Sequence, residues 1–123
     1  MEELFRKYPK AAEKAVEYYT EVFKRSIEES DVDEIYKEYA RETVNIDDEH
    51  VAKMIEVTPR GAFDFFDDNG IYITTLVSAA DGYFKWEIHS EADVHETSEY
   101  LNNRKMAEAA AVEKAFEILN EKL

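Results

Sequence analysis

Cysteine is absent from the 123 residues, which removes disulfides, thiol nucleophiles and zinc–thiolate sites together. Glycine occurs three times and proline twice, too little for a Gly-rich phosphate cradle. Neither a Gly-x-Ser-x-Gly elbow nor a His-Glu-x-x-His pair occurs. No apolar run approaches the roughly 18–20 residues that cross a bilayer. The opening Met1-Glu2-Glu3-Leu4 lacks the basic start and apolar block of a secretion signal. These absences point to one non-enzymatic domain over residues 1–123, cytoplasmic in type, with no cofactor.

Acids are plentiful. Twenty-nine Asp and Glu stand against fifteen Lys and Arg, for a net charge of −14. The imbalance is local. Residues 1–25 carry six bases and five acids, and residues 101–123 carry four of each, so residues 26–100 hold a net −15. Such a field repels nucleic acid and anionic membrane and attracts basic protein surfaces. At 45% hydrophobic and 13% aromatic, the chain still has the material for a core.

Residues 4–27 carry apolar side chains at three- and four-residue spacing, the mark of an amphipathic helix. Pro9 blocks a helical hydrogen bond if placed deep inside. The long helix therefore starts near Pro9, with residues 2–8 as a separate turn. Asp31-Val32-Asp33-Glu34 signals a second helix over 31–41, capped by Asp31 and with Val32, Ile35, Tyr36 and Tyr39 on one face. From Val51 the period shifts to two, and the turn signals Thr58-Pro59-Arg60-Gly61, Asp68-Asn69-Gly70 and Asp81-Gly82 separate strands over 51–57, 62–66, 71–79 and 83–95. The last is one strand, or two joined by a bend at Ser90, with Phe84, Trp86 and Ile88 on its core face. Thr97 or Ser98 caps a final helix over 98–122. The expected fold is α+β: two N-terminal helices, an antiparallel meander of three or four strands, and a C-terminal helix packed on the sheet.

His89, Glu91, Asp93 and His95 alternate along the last strand and would share its outer face, where imidazole and carboxylate could bind a metal. A solvated strand face has the same composition, and four in-line residues spread over roughly 20 Å, so no metal site is assigned. His50, beside Asp47, Asp48 and Glu49, reads as a loop histidine. The aromatic residues, Phe5, Tyr19, Phe23, Tyr39 and Phe84 among them, recur at core positions rather than as a base-stacking platform.

Asn103-Arg104-Lys105-Met106-Ala107-Glu108-Ala109-Ala110-Ala111-Val112-Glu113-Lys114-Ala115-Phe116-Glu117-Ile118-Leu119 resembles the last helix of double-stranded-RNA-binding domains. The helix–meander–helix order is similar to that family's α-β-β-β-α layout. The resemblance implies phosphate contacts at Arg104 and Lys105 alone. Glu108 stands where the family usually has a third basic residue.

The acid-rich composition also resembles that of small nucleic-acid-mimic inhibitors from phages and mobile elements, of the anti-CRISPR or anti-restriction type. That resemblance implies a basic, nucleic-acid-binding protein as partner, and neither nucleic acid nor membrane directly. The contacts would come from three clusters: Glu28, Glu29, Asp31, Asp33 and Glu34; Asp47, Asp48 and Glu49; and Asp64, Asp67 and Asp68. The competing expectations are a housekeeping adaptor, a double-stranded-RNA-binding-like domain without catalysis, and a small metal-dependent enzyme.

Overall fold

The computed structural model describes residues 2–43, 46–77, 82–91, 93–96 and 101–123. Within these the chain is α+β, with six α-helices, a single 3-10 turn and a three-stranded antiparallel sheet. Pro9 does start the long helix. Helix α1 (Glu2–Lys7) ends before it, and α2 (Pro9–Glu29) begins on it, where the missing N–H costs no hydrogen bond. Ala11, Ala12 and Ala15 form the buried stripe of α2, small enough for close approach by a neighbouring helix. No side chain of its own caps this helix. Asn120, near the far end of the chain, does so instead: its Oδ1 accepts from the backbone N–H groups of Lys10 at 2.9 Å and Ala11 at 3.1 Å.

Helix α3 spans Glu34–Thr43, later than the expected 31–41. Its first turn is held by Asp33, whose Oδ1 accepts from Tyr36 N–H at 3.1 Å. Asp31 therefore is not the cap. Asp33 is the residue placed to reach the N–H three positions on.

The segments 51–57 and 62–66 are helical, not strands. Asp47 accepts the N–H of His50 at 2.9 Å and starts α4 (Asp48–Val57). Val51, Ala52 and Ile55, at helical spacing, are buried. A 3-10 turn over Pro59–Ala62 leads into α5 (Phe63–Asp68). Phe65 and Phe66 are adjacent and both buried, which a strand with alternating faces cannot achieve against one core. Gly70, at a φ of 75°, reverses the chain after α5. This lets Ile71 N–H reach Phe66 O at 2.9 Å, a helix stop that favours glycine.

The period of two thus begins at Ile71. Strands β1 (Tyr72–Val77), β2 (Phe84–His89) and β3 (Val94–Glu96) pair in that order, with Ile73 opposite Ile88 and Thr75 opposite Trp86. The bend at Ser90 is present, closed by Ser90 N–H donating to Asp93 O at 2.9 Å. On β2, Trp86 and Ile88 are buried and Phe84 is half-buried.

Helix α6 (Arg104–Lys122) packs against β2 and β1. Its cap is Asn103, which accepts from Met106 N–H at 2.8 Å; Thr97 and Ser98 lie outside the described residues. Leu101, expected inside the helix, instead bridges to Phe84 through two backbone hydrogen bonds of 2.8 Å. One core joins α1, α2, α4, α5, the sheet's first two strands and α6 around Phe116, whose ring lies 5.6 Å from Phe5 and 5.1 Å from Phe66.

Candidate functional site

The first acidic cluster sits where α2 hands over to α3, and much of it serves the fold. Arg41 Nε donates to Glu28 Oε1 at 2.7 Å, and its Nη2 lies 3.9 Å from Glu34. Lys37 Nζ donates to the Glu28 carbonyl at 2.9 Å. Two of the five bases in residues 26–100 are therefore spent on this junction. With Asp33 acting as a cap, Glu29 and Asp31 are the exposed members whose carboxylates take no part in these contacts.

The second cluster opens α4. Asp47 accepts from the His50 backbone and also contacts His50 Nδ1 at 2.7 Å, so His50 is a helix-start histidine and not a loop residue. The backbone hydrogen bond from His50, followed by its side chain, holds the Asp47 carboxyl below the ordinary aspartate value. Asp48 and Glu49 are exposed in the first turn, where negative charge complements the helix dipole. Glu49 also lines an open cleft of about 690 Å³ between α1 and α4, shared with Glu2, Arg6 and Lys53.

The third cluster is different. Asp64, Asp67 and Asp68 are exposed on the six-residue α5, and none forms an ion pair among the described residues. Burial first, then the charges of Asp64 and Asp68, raise the Asp67 carboxyl above its usual value. The same field reaches Tyr18, whose phenol is pushed up by burial and then by Asp68 and Asp64. Phe65 and Phe66, buried between these acids in sequence, anchor the helix: the Phe65 ring lies tilted 5.4 Å from that of Tyr18, and Phe66 meets Phe116 edge-on at 5.1 Å. The carboxylates are thus held on a fixed support. The first cluster thus lies at the α2–α3 junction, the second at the start of α4 and the third on α5.

The alternating His89–His95 row does not survive the hairpin. Opposed residues share a sheet face. The register sets His89 against Val94 and His95 against Ile88, which puts the two imidazoles on opposite faces. His89 Nε2 contacts Glu87 instead. Among the described residues no group of three or more metal-binding side chains converges. Arg104 and Lys105 lie exposed in the first turn of α6, with the Arg104 guanidinium 5.7 Å from the centre of the Phe84 ring. Glu108 is buried one turn on, 3.9 Å from Arg60 Nε.

The feature missed at sequence level is the exposure of α3. None of its residues is buried. Ile35 is 78% exposed, Tyr39 66%, Tyr36 65% and the preceding Val32 50%. An apolar stripe has the same period whether a core or solvent faces it, so nothing in the pattern distinguishes the two cases. Tyr39, expected in the core, belongs to this exposed stripe. Beside it, α2 and α3 enclose a groove of about 510 Å³ lined by Phe23, Ile27, Ala40 and Ile46, with Lys24, Glu28 and Arg41 at its walls.

No protein-family model matches the chain, and no curated protein or solved structure matches it either.

Proposed function

We propose that the chain is a non-enzymatic, acidic protein-binding domain. Its partner is a basic, nucleic-acid-handling protein, bound at the surface where phosphates would otherwise lie. The observation that carries this is α5. Three aspartates without an ion pair among the described residues stand together there, and burial first, then the charges of Asp64 and Asp68, raise the Asp67 carboxyl. Their helix is pinned by two buried phenylalanines. Repelling charge on a rigid support costs folding energy and is returned when a cation-rich surface docks, because little side-chain order remains to be lost. The likeness in composition to phage and mobile-element inhibitors makes an anti-restriction or anti-CRISPR role the form of this function we put forward.

The test is co-purification from cells expressing the chain, followed by binding kinetics on the recovered partner with DNA as competitor. A basic partner that DNA displaces is the expected result. The Asp64→Lys/Asp67→Lys/Asp68→Lys variant should bind it more than about tenfold more weakly, mostly through the association rate, with the difference shrinking at high salt. Glu113→Lys/Glu121→Lys on α6, set beside the equally charged Asp67→Lys/Asp68→Lys, serves as the control and should bind almost normally. Glu117 is unsuited to that control because it pairs with Lys114 at 3.0 Å. Unchanged affinity across reversals of all three clusters would leave the acids as a solubilising surface only.

A further inference from the structure

Helix α3 is held to the rest of the molecule by its polar edge. Lys37 and Arg41 reach back to Glu28, and Ala40 lines the groove against α2. At about 100° per residue, that edge lies away from Ile35 and Tyr39. The apolar stripe therefore points outward, and Tyr36 lies between it and Ala40, so the apolar surface continues towards the groove. On the other flank stand Glu34, Glu38 and Glu42. Four-residue spacing turns only about 40° per step, so these three carboxylates form a slanting row, with Glu42 and Glu38 nearest the apolar stripe and Glu34 beside Arg41. All three are exposed.

Contiguous large apolar side chains at this exposure are unusual on a monomer and mark contact surfaces. The charge around them selects the occupant. A second copy of this chain would bring two such glutamate rows together, on molecules that each carry −14. A basic partner meets no such repulsion.

We propose that the Val32–Ile35–Tyr36–Tyr39 stripe is the docking face for an amphipathic α-helix of the partner. Leucine-like side chains of that helix pack on the tyrosines and enter the α2–α3 groove, and lysine or arginine on its flank pairs with Glu38 and Glu42. This rests on the proposed basic partner and adds where, and by what element, that partner is held. Helix-on-helix docking supplies anchors at three- and four-residue spacing, which is the spacing α3 presents. The glutamate row sets orientation and association rate, and the apolar stripe sets residence time.

The experiment uses the full chain labelled with nitrogen-15 and two synthetic Leu/Lys peptides of identical composition. Each has about 18 residues, long enough to form a helix on docking. One peptide is patterned for a single apolar helix face, and the other is scrambled. The patterned peptide should shift the amides of residues 32–42 and bind more than about tenfold more tightly than the scrambled one. Ile35→Ser/Tyr39→Ser should abolish that preference while leaving the melting temperature nearly unchanged, because neither side chain is buried.

Equal binding of both peptides, with shifts confined to Asp64–Asp68, would sink the α3 face and leave the acidic surface as the binder. No binding of either peptide at low salt would remove the basic-partner reading as well. Concentration-dependent self-association that disappears in the double variant would make a second copy the occupant, and would overturn the proposal.

Discussion

Phe116 and Tyr39 show how far two aromatic residues at similar helical spacing can diverge. Phe116 is fully enclosed, and its ring meets those of Phe5, Phe65 and Phe66. Phe116→Ala should cost about 3–5 kcal/mol, since the transfer term and the cavity add. Tyr39→Ala, at a largely exposed position, should fall within about 0.5 kcal/mol of the parent. Urea denaturation of the two variants checks both. A cost below about 1 kcal/mol at Phe116 would mean that the aromatic cluster is not the core. Trp86, the single tryptophan and 8% exposed, provides an independent readout. Its emission should be that of an enclosed indole and should shift to the red on unfolding.

On helix α5 the charge of Asp67 works against the stability that the buried Phe65 and Phe66 supply. The folded-state value of the Asp67 carboxyl lies above its ordinary one, so the folded chain holds that proton more tightly than the unfolded chain. The penalty is complete above the folded value and is relieved as pH falls through it. The neutral variant Asp64→Asn/Asp67→Asn/Asp68→Asn should therefore melt higher than the parent at neutral pH and low salt. The gain tied to Asp67 should disappear below the ordinary aspartate value of about 3.9, where that carboxyl is protonated in the parent too. Thermal melts of the two proteins across that range decide it, and a variant that melts lower at neutral pH would show the aspartates to be stabilising. Helix α4 carries the opposite sign. The Asp47 carboxyl is depressed by its hydrogen bonds from His50. Its contribution is present above the ordinary aspartate value and is lost as pH falls through the depressed one.

Across the whole molecule, −14 of net charge makes the compact state repel itself. The melting temperature should rise between low salt and about 0.15 M, where the Debye length falls to about 8 Å. A melting temperature indifferent to salt would mean that the acids are already compensated. Moderate acidification should also stabilise the protein until the Asp47 contribution is lost. On the alkaline side, burial pushes the Tyr19 phenol up to about 12. Stability should fall as pH rises from its ordinary value of about 10 towards that figure, because the unfolded chain ionises first.

The N-terminal and C-terminal helices, the turn glycines and the alternating strand ending at His89 follow from local rules and were legible without coordinates. Proline position, three- and four-residue spacing, and period-two alternation each act over a few neighbours. The helices over 48–68 were misread for a local reason. Aromatic and β-branched runs imitate strands there, and the decisive signals were the Asp47 cap and the adjacent buried pair Phe65–Phe66. Other features are not local at all. Asn120 caps a helix that begins more than a hundred residues earlier, and hairpin register sends His89 and His95 to opposite faces. The candidate site divides in the same way. The three acidic clusters are runs along the chain and are read from residue order. The sequence by itself also determined that α3 would be amphipathic; the tertiary structure decided that its apolar side would face solvent, because the polar edge formed by Lys37 and Arg41 was the one that found partners on α2.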